Sequence, residues 1–339
     1  MKRWLSPGLR LAFTLALLGM LAWQLDTGQL LDRLRELSPG WVLLAVLIGI
    51  PQVVLSAWRW RMTAHQLGIR LRWPTAIREY YLATFLNQVL PGGVMGDAAR
   101  AWRHGNAQNR PDDASSSRPG SAIRAVIIER ASGQIALLLV AIVAVIASPA
   151  LRESIVRFLG SHIALDLGAA LVGLLLLAGV IGLRHDRGWP PLARFGRDTQ
   201  RALLAVDMWP AQLISSLLVV ITYIAVFLCA AEALGLQRPI MELLPLIPPL
   251  LMAMAIPLTI AGWGLREGAA AMIWPLAGLP AQEGVVLSVT YGLLILAASL
   301  PGLAVLLLGH RISPQASRQA SSSPRENKRR KSAAGGQPG

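Results

Sequence analysis

Two clusters of residues in this 339-residue chain join helix-breaking backbone to charged side chains within apolar surroundings. The first is Asn87, Pro91, Gly92, Gly93, Gly96, Asp97 and Arg100, with Glu129 and Arg130 at the start of a later apolar run. The second is Pro257, Gly262, Gly264, Arg266, Glu267 and Gly268. Glycines let backbone approach a ligand and leave amides free for it, and an arginine at membrane depth can hold an anionic head group. These are the residue types of a substrate-binding site for a phosphate-bearing molecule, with Asp97, Glu129 and Glu267 as candidate proton carriers. Asp97 and Arg100 lie three apart and could pair across a helical turn. The plainer reading of the first cluster is a helix break whose charges snorkel to the interface.

Arg266 and Glu267 are flanked by 23 uncharged residues before and 15 after, so they are not ordinary loop charges. Burying them is costly unless they are paired or hydrated. Neighbours on a helix project about 100° apart. Each is therefore expected to seek another partner, such as the first cluster or a substrate. Glu232 and Glu283 are weaker candidates that face the outer interface.

The elements that must position these residues follow from composition. Hydrophobic residues make up 54% of the chain and charged residues 15%, against about 25% charged in soluble domains. Uncharged runs at 37–58, 131–151, 211–231, 243–265 and 284–309 are each long enough to cross a bilayer about 30 Å thick as a helix. A soluble enzyme, a disordered tail protein and a disulfide scaffold are excluded. The fold class is all-α, a polytopic membrane protein. The single cysteine, Cys229, and five scattered histidines offer no disulfide framework and no metal-ligand spacing. The three lysines, Lys2, Lys328 and Lys331, all lie in the tails, so there is no phosphate-binding lysine loop for ATP. No cofactor is expected. Residues 11–25, after Lys2, Arg3 and Arg10, read as a retained first helix and not as a cleaved signal.

A pI near 11.3 and a net charge of +14 invite nucleic acid as a partner. The placement of the charge argues against it. Of 32 Lys and Arg residues, 25 fall in segments 1–10, 59–79, 97–124, 184–209 and 309–339. Such alternation is the bias of basic residues toward cytoplasmic loops. It predicts a bacterial inner-membrane protein with both termini cytoplasmic. The tail 311–339 is expected to be disordered and drawn to anionic lipid head groups at the cytoplasmic face.

Helices are then expected near 9–25 and 41–58, with a short amphipathic interfacial helix between them, where Leu30, Leu31, Leu34 and Leu37 are interspersed with charges. The run 80–96 has basic segments on both sides and is broken at Leu90-Pro91-Gly92-Gly93. A helix over 80–90 reaches only about 16 Å. Residues 79–103 therefore read as a re-entrant hairpin. Crossings follow at 127–147, 163–183 and 211–232. Residues 243–280, broken at Pro257 to Gly264, form a second hairpin from the opposite face, and 285–308 is the last crossing. The prediction is about six full transmembrane helices plus two re-entrant hairpins in an inverted repeat, with halves 1–150 and 151–310 in one domain, 1–310. Paired broken helices of this kind mark substrate sites in secondary transporters.

The motif Asn87-Gln-Val-Leu-Pro-Gly-Gly-Val-Met-Gly-Asp-Ala-Ala-Arg100, followed by Glu129-Arg130 and Gly133, resembles the transmembrane region of lysylphosphatidylglycerol synthases, the flippase-like family. Gly262-Trp-Gly-Leu-Arg-Glu-Gly268, after Pro257, is similar to its second motif, and the resemblance spans residues 8–310. The family often has Gly-Gly-Asp where this chain has Gly96-Asp97 after Val94 and Met95, and segment 104–122 is longer than usual. The resemblance implies a stand-alone lipid translocase, with membrane lipid (a phospholipid or polyprenyl-phosphate carrier) as its partner. With only a tail after the last helix, synthase activity is not expected, and the chain is read as a translocase and not as an enzyme. Two rival readings are a polyprenyl-phosphate-sugar glycosyltransferase using Asp26, Asp32 and Glu36, and a non-transporting accessory of envelope-biosynthesis proteins.

Overall fold

The structure, a computed structural model, describes residues 27–90, 93–107, 119–160, 190–205, 208–254 and 259–321, with five positions between 12 and 19. In chain order its helices are α1 (Thr27–Arg35), α2 (Pro39–Gln66), α3 (Trp73–Val89), α4 (Met95–Ala107), α5 (Pro119–Ala147), α6 (Pro149–Leu159), α7 (Pro190–Thr199, continued by a π turn), α8 (Trp209–Ala233), α9 (Ile240–Leu243), α10 (Ile247–Ala253), α11 (Leu265–Leu276) and α12 (Ala281–Ser321). Four helices among the described residues are long and apolar enough to cross a membrane: α2, α5, α8 and the Ala281–Leu308 part of α12. The expected crossings at 9–25 and 163–183 lie largely or wholly outside the described residues.

Large apolar side chains point away from the protein on these helices, among them Leu43, Leu47 and Ile50 on α2, Leu139, Val143 and Ile146 on α5, and Leu218 and Ile221 on α8. Exposed stripes of this extent are costly in water and are matched by lipid. Inward, small residues bring the helices close, as membrane helices require. Gly49 of α2 faces Ala298 of α12, and Gly284 lies against the buried ring of Trp274.

Both broken segments fold back on themselves. The pair α3 and α4 forms one hairpin, and α9–α10 with α11 forms the other. Their packing repeats between the halves. The leading limb α3 lies on α12, while the leading limb α10 lies on α5. Each return limb packs on the crossing that follows it, α4 on α5 and α11 on α12. At the centre α2 packs on α8, and each also touches the other half's last crossing. Exchanging the halves leaves this pattern of contacts unchanged.

Several boundaries differ from the sequence expectation. The second crossing runs to Gln66 and not to 58, because a charge within a helix does not end it when that charge is paired. The leading limb α3 has 17 residues, about 25 Å at helical rise, because Trp73 to Glu79 continue the same helix below the apolar run. The last helix keeps its geometry to Ser321, past the expected tail boundary at 310. Helix propensity does not demand apolar residues, so the polarity change at 309 ends the apolar span and not the helix. The expected amphipathic helix is α1, whose Asp32 sits in an exposed pair with Arg35 at 3.7 Å.

Candidate functional site

Five helices deliver the first cluster. Arg59 and Trp60 come from α2, Tyr80 and Asn87 from α3, Gly96, Asp97 and Arg100 from α4, Glu129 and Arg130 from α5, and Ser216 from α8. Glu129 is fully buried at its centre. Its Oε1 accepts from Arg59 Nη2 at 2.6 Å, Arg59 Nε at 3.2 Å and the Tyr80 hydroxyl at 3.1 Å. Its Oε2 accepts from Arg100 Nη2 at 3.1 Å. The same Arg100 nitrogen donates to Asp97 Oδ1 at 2.9 Å, so the pairing across one helical turn is present. Asp97 Oδ2 is held by Arg130 Nη2 at 2.7 Å and Asn87 Nδ2 at 2.8 Å.

Arg100 is completely buried, with its guanidinium carbon 4.3 Å from the Trp60 ring centroid and 4.4 Å from that of Tyr80. A buried cation between two ring faces gains cation–π attraction. Arg100 therefore does not snorkel, and the plainer reading of this cluster fails for it and for Glu129. Arg130 retains partial exposure.

The loop between α3 and α4 is built by Asn87 as well as by glycine. Asn87 Oδ1 accepts from the Gly96 amide at 2.8 Å while its Nδ2 reaches Asp97, so one side chain ties the two limbs together. Asn87→Ala removes both bonds and is expected to cost about 1–3 kcal/mol, read as a lower unfolding midpoint in detergent. Gly93 adopts φ +61°, and a methyl group placed there would lie 3.9 Å from Ala261 Cα. The turns of the two hairpins thus meet. Pro91, Gly92 and Pro257 lie outside the described residues.

In the second cluster Gly262 and Gly264 take φ of +80° and +86°, left-handed conformations that favour glycine. They turn the chain into α11, where Glu267 Oε2 accepts from the Gly264 amide at 2.7 Å and caps the helix. Its other oxygen, Oε1, receives Arg266 Nη2 at 2.7 Å, Arg266 Nε at 3.1 Å and the Ser288 hydroxyl at 3.0 Å. Arg266 and Glu267 therefore do pair with each other, against expectation. The arginine stem is long enough to curl across the angle of about 100° between adjacent positions, and the cap holds the carboxylate still. The Arg266 guanidinium lies 5.1 Å from the Trp263 ring and 5.2 Å from the Tyr291 ring. Gly268 has open space where a side chain would project.

The two clusters share a plan. A glycine on the last crossing of each half leaves room for a guanidinium: Gly133 beside Arg59, and Gly292 beside Arg266. One helical turn earlier stands the group that partners it, Glu129 in one half and Ser288 in the other. Sequence reasoning misses Arg59, Trp60, Tyr80, Ser216, Ser288, Trp263 and Tyr291. Arg59 directly follows an apolar run and so reads as the start of a basic loop. The available signal is that Glu129 lacks a neighbour of opposite charge on its own helical face. Glu283 pairs with Arg238 at 3.1 Å and Glu232 is exposed, both apart from the two clusters.

Comparison with known families agrees with this architecture. The description "lysylphosphatidylglycerol synthase TM region" matches residues 9–302, which contain both hairpins and both clusters. The chain belongs to this family. It is thus a multi-pass membrane protein of the lysylphosphatidylglycerol synthase TM type. No curated protein and no solved structure matches it. In this family member the matched stretch stops within α12, before the polar end of that helix.

Proposed function

We propose that this protein moves a lipid with an anionic, phosphate-bearing head group between the leaflets of the bacterial inner membrane, without ATP hydrolysis and without covalent chemistry. The observation that carries the reading is a charge excess in the first cluster. Three guanidinium groups, Arg59, Arg100 and Arg130, face two carboxylates, Asp97 and Glu129. Among the described residues, Arg100 Nε and Nη1, Arg130 Nε and Trp60 Nε1 are buried without a hydrogen-bond acceptor. Unpaired buried donors and an uncompensated charge are both unfavourable. One anionic oxygen group supplies the missing charge and acceptors together.

The second cluster supports a different task. Arg266 and Glu267 balance each other, and each Arg266 nitrogen has a partner. In this reading the first hairpin holds the head group and the second acts as a neutral hinge against it, with the turns in contact at Gly93 and Ala261. Both hairpins re-enter the membrane, and both termini lie on the basic, cytoplasmic side. That arrangement rests on the distribution of Lys and Arg.

The test is lipid movement in liposomes containing the purified chain, followed with fluorescent phospholipids and polyprenyl phosphates. The wild-type protein is expected to accelerate transfer of at least one anionic lipid. Arg100→Met is expected to lower the rate about tenfold or more, as loss of a charge-assisted bond of ~1.5–3 kcal/mol requires, and Arg100→Lys to recover part of it. Rates equal to those of protein-free vesicles for every lipid would sink the proposal.

A further inference from the structure

A second cationic site, sharing no residue with either cluster, lies where α2 ends and the first hairpin begins. The chain leaves α2 through Gly68, at φ +77°, and runs without helix through residues 69–72, with Arg72 extended, before α3 starts at Trp73. Ile69 and Leu71 are buried, at 1% and 6% exposure, and anchor this strip. Burial alternates with exposure along it, and Arg70 and Arg72 are the exposed residues. Arg61, on the last turns of α2, donates from Nε to the Leu71 carbonyl at 2.9 Å and lies 5.2 Å over the Trp73 ring. Its position is therefore set by backbone and ring, and not by a carboxylate.

These residues, with His65, line a cavity of about 320 Å³. Arg61, Arg70 and Arg72 contribute to its lining, which is mostly apolar and open to the surface, and among the described residues none of the three forms an ion pair. The described lining contains no acidic side chain. Three cations without an ionic partner around one pocket favour an anion there. The first turn of α3, which follows directly, carries no acidic residue. Planar guanidinium groups suit phosphate oxygens.

Surroundings decide the source of that phosphate. The crossing helix α2 runs to Gln66, and the cavity is formed by its last turns and the residues just after it, so it sits at the end of an apolar span, where lipid head groups lie. Trp73, at 38% exposure, stands beside it as interfacial tryptophans do. Leu71 and the methylene stems of the arginines give the cavity apolar walls beneath a charged rim. We propose that Arg61, Arg70 and Arg72 bind the phosphate of an anionic phospholipid in the leaflet bordering this face, and that the bound lipid fixes the start of the first hairpin. The site is separate from the head-group site of the transported lipid and does not depend on transport.

The experiment uses the full chain purified in a nonionic detergent, with added phosphatidylglycerol, phosphatidylcholine, inorganic phosphate or glycerol 1-phosphate. Lipid retention is read by native mass spectrometry and stability by the unfolding midpoint. Phosphatidylglycerol is expected to be retained in preference to phosphatidylcholine and to raise the midpoint. R70Q/R72Q is expected to weaken phosphatidylglycerol binding about 25-fold, roughly fivefold per charge, while R70K/R72K stays close to wild type. Unchanged binding in R70Q/R72Q would overturn the site. Displacement of phosphatidylglycerol by equal concentrations of inorganic phosphate or glycerol 1-phosphate would overturn the lipid assignment. Because R70Q/R72Q alters only exposed side chains, its fold is retained and the comparison stays informative.

Discussion

Replacing Glu129 with glutamine is expected to be the most damaging single change in this protein. The carboxylate accepts four hydrogen bonds from Arg59, Arg100 and Tyr80 and is completely buried. Glutamine keeps the shape and loses the charge, so three guanidinium groups face Asp97 alone. Removing one partner of a buried ion pair costs about 3–5 kcal/mol, because the remaining charge stays buried. The expected result is a steep drop in the unfolding midpoint in detergent and little monodisperse protein on size exclusion. A second substitution checks the cause. Arg59→Met added to Glu129→Gln restores the original excess of one positive charge and is expected to recover part of the lost stability. A double variant less stable than the single one would show that packing, and not charge, is at stake.

Gly96→Ala is expected to follow closely. A methyl group at Gly96 would be driven into the Ala83 carbonyl, with the Ala83 Cα only 2.9 Å away. The obstacle is backbone on the facing limb, which cannot rotate aside. The limbs must separate, and with them go the Gly96–Asn87 bond and the seat of Asp97 against Arg100 and Arg130. Overpacking alone costs about 1–3 kcal/mol, and the broken bonds take the loss to the top of that range. The measurement is again the unfolding midpoint, alongside lipid movement in liposomes, which should fall further than stability does. Gly268→Ala is the matching control: it sits in α11 with nothing within 4 Å of the added methyl. It is expected to be neutral or stabilising by about 0.5–1 kcal/mol. Equal losses in the two variants would contradict the close approach of the limbs.

The helical class and the broken segments were legible because they depend on local physics. A bilayer demands long apolar helices, and proline with paired glycine interrupts them wherever they occur. The turn glycines Gly262 and Gly264 showed in the sequence for the same reason, since left-handed backbone selects glycine with no help from distant residues. The Asp97–Arg100 pair was legible too, because a helical turn fixes its geometry.

Arg59 was not legible in the same way. Its charge reads as the start of a basic loop, and only the packing of α2 against α5 and α8 places it beside Glu129 and Ser216. Nor could sequence spacing decide the fate of Arg266, which turns back onto its own neighbour because the Gly264 cap and Ser288 on α12 hold Glu267 in reach.

The basic balance of the chain was determined by the sequence alone, and so were its apolar spans, its two breaks and the identity of the charges set among them. The tertiary structure decided which charges meet. Propensity, hydropathy and helix spacing act over a few residues and can be read in order along the chain. A buried ion pair depends on which helix faces which, and Arg59 and Glu129 stand 70 residues apart. That pairing made the first cluster carry an unmatched positive charge while the second closed on itself.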